Sequence, residues 1–121
     1  MKKIKFKAWV NSLKTFKKID AMYFNGNNNV YAVMIGDKPY ALNNKEINIL
    51  SCTGLKDKKG IEIFEGDIIK VYNIEEPFKV FFENSCFVVE NTETSFFLKQ
   101  VAEKCEVVGN IHENPNLINR D

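Results

Sequence analysis

Hydrophobic and polar residues alternate through residues 4–10: Ile4, Phe6, Ala8 and Val10 fall on one side of an extended chain, Lys5, Lys7 and Trp9 on the other. A period of two predicts a strand with one wet face. The apolar positions of LKTFKKIDAMYF, residues 13–24, fit neither period well and predict a strand or a short helix. Beyond them, VYAVMI (30–35), YAL (40–42), INILSCT (47–53), IEIF (61–64), IIKVYN (68–73), FKVFFE (78–83) and CFVVE (86–90) read as strands. They are separated by NGNNN, GDKP, NNKE, DKKG, EGD and NS, all turn chemistry. Turn signals recurring about every ten residues are the rhythm of an all-β sandwich or barrel. The pattern shifts once: Leu98, Val101, Ala102 and Cys105 fall at helical spacing and predict a short helix near 95–103. CEVVGNI, 105–111, is then the last strand, and Pro115, with no N–H for a ladder, stops it.

These elements predict a mainly β fold, a small, strongly bent sheet or SH3-like barrel with an N-terminal β extension and one short helix. Residues 1–121 suit a single domain, with a β segment over 1–50 and a core over 51–118. The VVGNI strand is expected to close near GDIIKV, and the Lys-rich N-terminal strand to pair at or near a sheet edge.

Composition changes this picture little. A hydrophobic fraction of 45% and a charged fraction of 27% are ordinary for a globular chain and argue against disorder. No apolar run approaches the ~18 residues of a membrane helix. Lys5 and Lys7 interrupt any signal-like apolar core, so a cytoplasmic protein with no membrane partner is expected. Cys52, Cys86 and Cys105 form no C-x-x-C, and His112 is the sole histidine. That inventory suits three reduced thiols on strands better than a metal site, so no metal or other cofactor is expected.

Charge is informative in its distribution. Residues 1–40 hold eight Lys and two acids, net +6, whereas 41–121 hold nine basic and fourteen acidic groups, net −5. Such a split suggests a basic face for an acidic partner, or head-to-tail self-association; alternating lysines also suit the solvated face of a strand.

Candidate chemistry is sparse. Glu62, Glu65 and Asp67, or Glu75 and Glu76, would do acid/base work only if one were buried with a raised pKa. Glu62 and Lys70 read instead as outward, solvated neighbours. Cys105 and His112 are seven apart, which on a strand puts them on opposite faces and argues against a dyad. The glycines lack the lysine-serine ending of a phosphate loop. No catalytic residue is expected. A nucleic-acid surface could be built from Lys2, Lys3, Lys5, Lys7, Lys14, Lys17 and Lys18, with Trp9 outward to stack a base. Against it, Arg120 is the sole arginine and the pI is near 7.6.

Three stretches carry a resemblance: TGLKDKKGIEIFEGDIIKV at 53–71, FENSCFVVE at 82–90 and CEVVGNIHENPNLI at 105–118, with KFKAWV at 5–10 beside them. Together they resemble the YopX-type family of phage and prophage proteins. The resemblance implies a small, mainly β, cytoplasmic protein of a bacterial host, of uncharacterised role and with no assigned catalytic residues. The shared residues, Thr53, Gly54, Asp57, Gly60, Gly66, Asp67, Gly109, Asn110 and Pro115, are turn and cap types, which makes the motif architectural. The function expected is a non-enzymatic interaction module that binds a host or phage protein or assembles with itself. The alternative is a nucleic-acid-binding accessory protein using Lys3, Lys5, Lys7, Trp9, Lys14, Lys17 and Lys18.

Overall fold

The structure is a computed structural model that describes residues 5–42 and 45–118. Among these residues the chain is mainly β, with one short helix. It divides into two compact units, Met1–Ser51 and Cys52–Asp121.

The first unit contains two antiparallel sheets. β1 (Phe6–Val10) pairs with β2 (Thr15–Lys18) on one side and with the start of β6 (Ile47–Lys56) on the other. β3 (Ala21–Phe24), β4 (Val30–Ile35) and β5 (Lys38–Ala41) form the second sheet in sequence order. The ambiguous stretch at 13–24 is thus two strands, with no helix. Its apolar residues read poorly because Ile19 and Asp20 break the extended run between β2 and β3. Turn chemistry is as the residue types dictate. The Asn25 side chain accepts from the Asn27 and Asn29 amides, and Asn28 takes φ 62°. Ala8 and Val10 of β1, Val33 of β4 and Ile47 of β6 are buried in one cluster, with Met22, Tyr40 and Ile49 packed against it.

The second unit is built on a strongly curled five-stranded sheet. In spatial order it contains β11 (Ser95–Phe97), β10 (Cys86–Glu90), β9 (Phe78–Glu83), β8 (Asp67–Val71) and β12 (Cys105–Asn110). Asn84 and Ser85, both at positive φ, make the tight β9–β10 hairpin. β12 lies antiparallel to β8, with Asn110 opposite Asp67, so VVGNI does close on GDIIKV. The end of β6 pairs with the short β7 (Glu62–Phe64). Helix α1 (Leu98–Val101) continues into a 3-10 turn, Ala102–Lys104. It starts three residues later than the spacing suggested, because Ser95–Phe97 pairs with β10 instead. The Gln100 side chain accepts from the Phe97 amide at 2.9 Å and so caps the helix start. Leu98 and Val101 then drop onto Ile63, Ile69, Phe78, Val80, Val89 and Cys105, the buried core of this unit.

Candidate interaction surfaces

The 53–71 motif is a folding device built around two buried aspartates. Asp57 opens the turn between β6 and β7 and is 6% exposed. Its Oδ1 accepts from the Lys59 and Ile61 amides at 2.8 and 2.9 Å, which fixes the turn, with Gly60 at φ 81°. Its Oδ2 accepts from the Val107 amide at 2.9 Å, and the Lys58 amide donates to the Cys105 carbonyl at 3.0 Å. The turn therefore covers the open edge of β12, a place that would otherwise expose unpaired backbone. Burial alone would raise the Asp57 pKa. The three amide donors and nearby Lys59 outweigh it and hold the carboxyl below its ordinary value.

Asp67 performs the second closure. It is 3% exposed, with Oδ2 accepting from the Phe64 amide at 2.7 Å and Oδ1 from the Asn110 side chain at 2.9 Å. The Asn110 carbonyl oxygen of the side chain in turn accepts from the His112 amide. Gly66, at φ 86°, donates to the Val80 carbonyl and accepts from the Ile111 amide, a left-handed position that glycine suits best. Thr53 Oγ1 donates to the Ile63 carbonyl across the hairpin, and Gly54 sits at φ 83° inside β6 at a register shift. Pro115 opens a 3-10 turn, Pro115–Leu117.

Gly109 is not a turn residue. It lies within β12 beside the shift at Val107/Gly109, and a Cβ there would stand 2.7 Å from Asn114 Oδ1 and 2.8 Å from Leu117 Cδ1. Asn114 is held in place by the Asn110 backbone. Gly109→Ala should therefore destabilise by about 1–3 kcal/mol through overpacking, read as a lower urea midpoint.

The candidate acid/base groups are engaged elsewhere. Lys70 faces Glu106 across the β8–β12 ladder rather than Glu62; Glu62 is half-buried and accepts from Cys52 Sγ at 3.7 Å. Lys59 and Lys58 approach Glu106 at 2.8 and 3.7 Å, and the hydrogen bond from Lys59 holds its pKa low. Glu106 and Glu75 border a surface groove of about 460 Å³ beside Tyr72, where the Glu106 carboxyl is lowered rather than raised as a general acid would need. A second groove, of about 590 Å³ in the first unit, has Glu46 as its carboxylate, tied to the Ser12 amide. His112 lies past the end of β12, half-buried, and burial followed by the charge of Lys79 pushes its pKa down. Among the described residues, no three His, Cys, Asp or Glu converge as a metal site. Among the described residues, no helix is long and apolar enough to cross a membrane.

The three thiols lie on strands and are free. Burial pushes the Cys105 thiol up to about 11, with the Asp57 charge adding to it and Lys58 opposing. Cys86 is exposed and Cys52 half-buried. Iodoacetamide should therefore label Cys86 first and reach Cys105 only on unfolding, as peptide mass spectrometry will show.

The basic N-terminal surface is only partly assembled. Lys7 and Lys18 stand opposite each other in the β1–β2 ladder, and Lys7 Nζ lies 4.1 Å from the Phe16 ring centroid. Lys17 pairs with Ala8, so it points to the other face, and Lys14 sits in the turn at φ 51°. Lys5 is exposed; Lys2 and Lys3 lie outside the described residues. Trp9 overturns its expected outward place. It is 2% exposed, with Phe16 directly across the ladder and the rings edge-on at 4.9 Å. An indole is too large and apolar to spend on a wet face when a cross-strand aromatic can cover it. It cannot stack a base without leaving that site.

Alternation missed a different feature, the apolar outward sheet faces. In the first unit, Met22, Val33 and Tyr40 form the core-facing row, so Tyr23, Ala32 and Ala41 share the opposite face. In the second, Val80, Val89 and Phe96 face inward and Phe81, Val88 and Phe97 line up on the other side. Strand periodicity marks that two faces exist but does not say which is wet when both are apolar.

The YopX protein family model matches residues 5–119. The chain belongs to the YopX family. Among solved structures, this YopX-family chain is similar to protein EF1440 from Enterococcus faecalis. The TM-score is 0.73 and the identity 28%, over 98% of this chain and 100% of that one. No curated protein matches it. Family membership and the bent, mainly β fold agree with the resemblance in the 53–71, 82–90 and 105–118 stretches.

Proposed function

We propose that this YopX-family chain is a non-enzymatic interaction module, encoded by a phage or prophage and acting in the bacterial cytoplasm by binding a protein. The observation that carries the reading is the contrast between its buried and exposed groups. The buried carboxylates, Asp57 and Asp67, are occupied by the fold's own amides, whereas aromatic side chains stand on outward sheet faces: Tyr23 is 40%, Tyr31 54% and Phe97 49% exposed. Apolar patches of this kind on a small domain mark contact surfaces. Affinity capture from bacterial lysate, with wild type beside Tyr31→Glu and Phe97→Glu, tests it. A partner retained by wild type and lost with a variant is expected; identical capture by all three contradicts it.

The opposed lysines Lys7 and Lys18 beside Phe16 support a second reading, a nucleic-acid-binding accessory protein. It requires affinity for single-stranded DNA or RNA that falls steeply with salt and is abolished by Lys7→Glu with Lys18→Glu. An unchanged gel shift removes it.

A further inference from the structure

Of the six glycines, Gly26 is the one the fold does not need. Gly36, Gly54, Gly60 and Gly66 take positive φ, and a Cβ on Gly109 would strike Asn114 and Leu117. Gly26 takes no positive φ, and a Cβ there would meet nothing within 4 Å. Alanine would fit this turn and would lose less conformational entropy on folding. What glycine changes here is the reactivity of the residue before it.

Asn25–Gly26 is the sole Asn-Gly step in the chain. Both residues are exposed, in the turn from β3 to β4. Four of the five amides of residues 25–29 are engaged within the turn. The Asn27 and Asn29 amides donate to Asn25 Oδ1 at 2.8 and 3.1 Å. The Asn28 amide donates to the Asn25 carbonyl at 3.0 Å, and the Asn25 amide to the Asn29 carbonyl at 2.9 Å. The Gly26 N–H is the fifth and is left to solvent. The side-chain carbonyl of Asn25 is therefore polarised by two donors, placed on the oxygen where negative charge would develop under nucleophilic attack. The neighbouring amide that can make the attack is unprotected. The Asn11–Ser12 step differs on this point, because the Ser12 amide is tied to Glu46.

We propose that Asn25 is a self-modifying site, converted to aspartate or isoaspartate by the amide of Gly26. The Gly26 N–H gives its proton to hydroxide, and its nitrogen bonds to Asn25 Cγ. The Cγ–Nδ2 bond breaks, and Nδ2 takes up a proton and leaves as ammonia, which closes a five-membered succinimide. Water then opens the ring. Cleavage at Cγ leaves an aspartate. Cleavage at the main-chain carbonyl routes the chain through Cγ and leaves an isoaspartate, with one more methylene in the backbone. The sum is an amide hydrolysed to an acid, with no electron transferred.

Either product adds a negative charge to a unit that holds nine Lys against Asp20, Asp37 and Glu46, so its net charge falls from +6 to +5. Aspartate keeps an oxygen for the Asn27 and Asn29 amides. Isoaspartate moves that oxygen into a lengthened main chain, and the turn loses its fit. The loosened turn joins Phe24 to Val30, beside the Tyr23 and Tyr31 rings. The change is irreversible, so it accumulates with the age of the molecule. It goes beyond the binding-module reading and does not depend on it.

Peptide mass spectrometry tests this on the full folded chain, held at body temperature and mildly alkaline pH. Wild type should exchange amide for acid at Asn25 ahead of every other asparagine. Electron-transfer fragmentation should detect isoaspartate there, and a more acidic species should grow on cation exchange. The rate should rise with pH, because the attacking amide must lose its proton. Gly26→Ala should slow conversion about tenfold, since a Cβ restricts the backbone freedom the ring closure needs. Its circular dichroism should match wild type, because the turn has room for that Cβ. Three results overturn the proposal: Asn25 intact in the folded chain while it converts in urea, a Gly26→Ala chain that converts as fast as wild type, or another asparagine converting first.

Discussion

Asp57→Ala should lower stability by about 3 kcal/mol or more, the largest loss expected from any polar substitution in this chain. The carboxylate accepts three amide hydrogen bonds, from Lys59, Ile61 and Val107, at a site 6% exposed. Alanine leaves those donors buried without acceptors, and opens the edge of β12. Asp57→Asn retains the shape, but its amide group must face at least one N–H donor, so a loss of about 2 kcal/mol is expected. Urea denaturation followed by far-ultraviolet circular dichroism measures both. The pH dependence has a fixed sign. Asp57 is held below 3.8, so its contribution is complete above that value and is lost as pH falls through the lower folded pKa. His112 acts in the same direction from a higher pH. Its folded pKa lies below 6.5, so protonation below 6.5 favours the unfolded chain. Wild type should thus weaken in two stages on acidification. Asp57→Asn should keep the first and diminish the second, to which the lowered Glu46 and Glu106 carboxyls also contribute.

Phe78→Ala should cost about 4 kcal/mol, within the range for removing a buried phenylalanine. Phe78 is fully buried at the start of β9, with its ring 5.8 Å from that of Phe96. Around it lie Ile69, Val80, Val89 and Leu98 of the same cluster, so truncation leaves a cavity among three strands and the short helix. Against a total stability of about 5–15 kcal/mol, that loss moves the melting temperature by about 15 °C or more. Phe78→Leu, which conserves most of the volume, should lose about 1.5 kcal/mol. Equal losses from Ala and Leu would contradict this packing.

The strands were legible wherever a β-branched or aromatic run ended in turn chemistry. VYAVMI, FKVFFE and CFVVE match their strands residue for residue, because Asn, Gly and Ser at their ends leave the ladder no other stopping place. The turn at Asp57–Gly60 was also readable. Its long-range use was not: no local pattern says that the same carboxylate reaches Val107, fifty residues away. Gly109 was misread for a related reason. Its lack of a side chain serves Asn114 and Leu117, which come close only after β12 is in place. Trp9 followed the alternation but not the exposure assumed for it, since Phe16 belongs to a strand the hydrophobic pattern did not resolve. The charge split was plain in the sequence. That it coincides with two compact units required the fold. The apolar faces at Tyr23 and Phe97 needed strand register, because only the paired partners identify which side of each sheet is already filled.

Chemical cross-linking in bacterial extract, wild type beside the double variant Tyr31→Glu/Phe97→Glu, tests the central claim most directly. The account predicts a cross-linked species of this chain with a protein, whether a second copy or another, that disappears in the folded double variant. A species that survives both substitutions, or wild type that forms none, would contradict it.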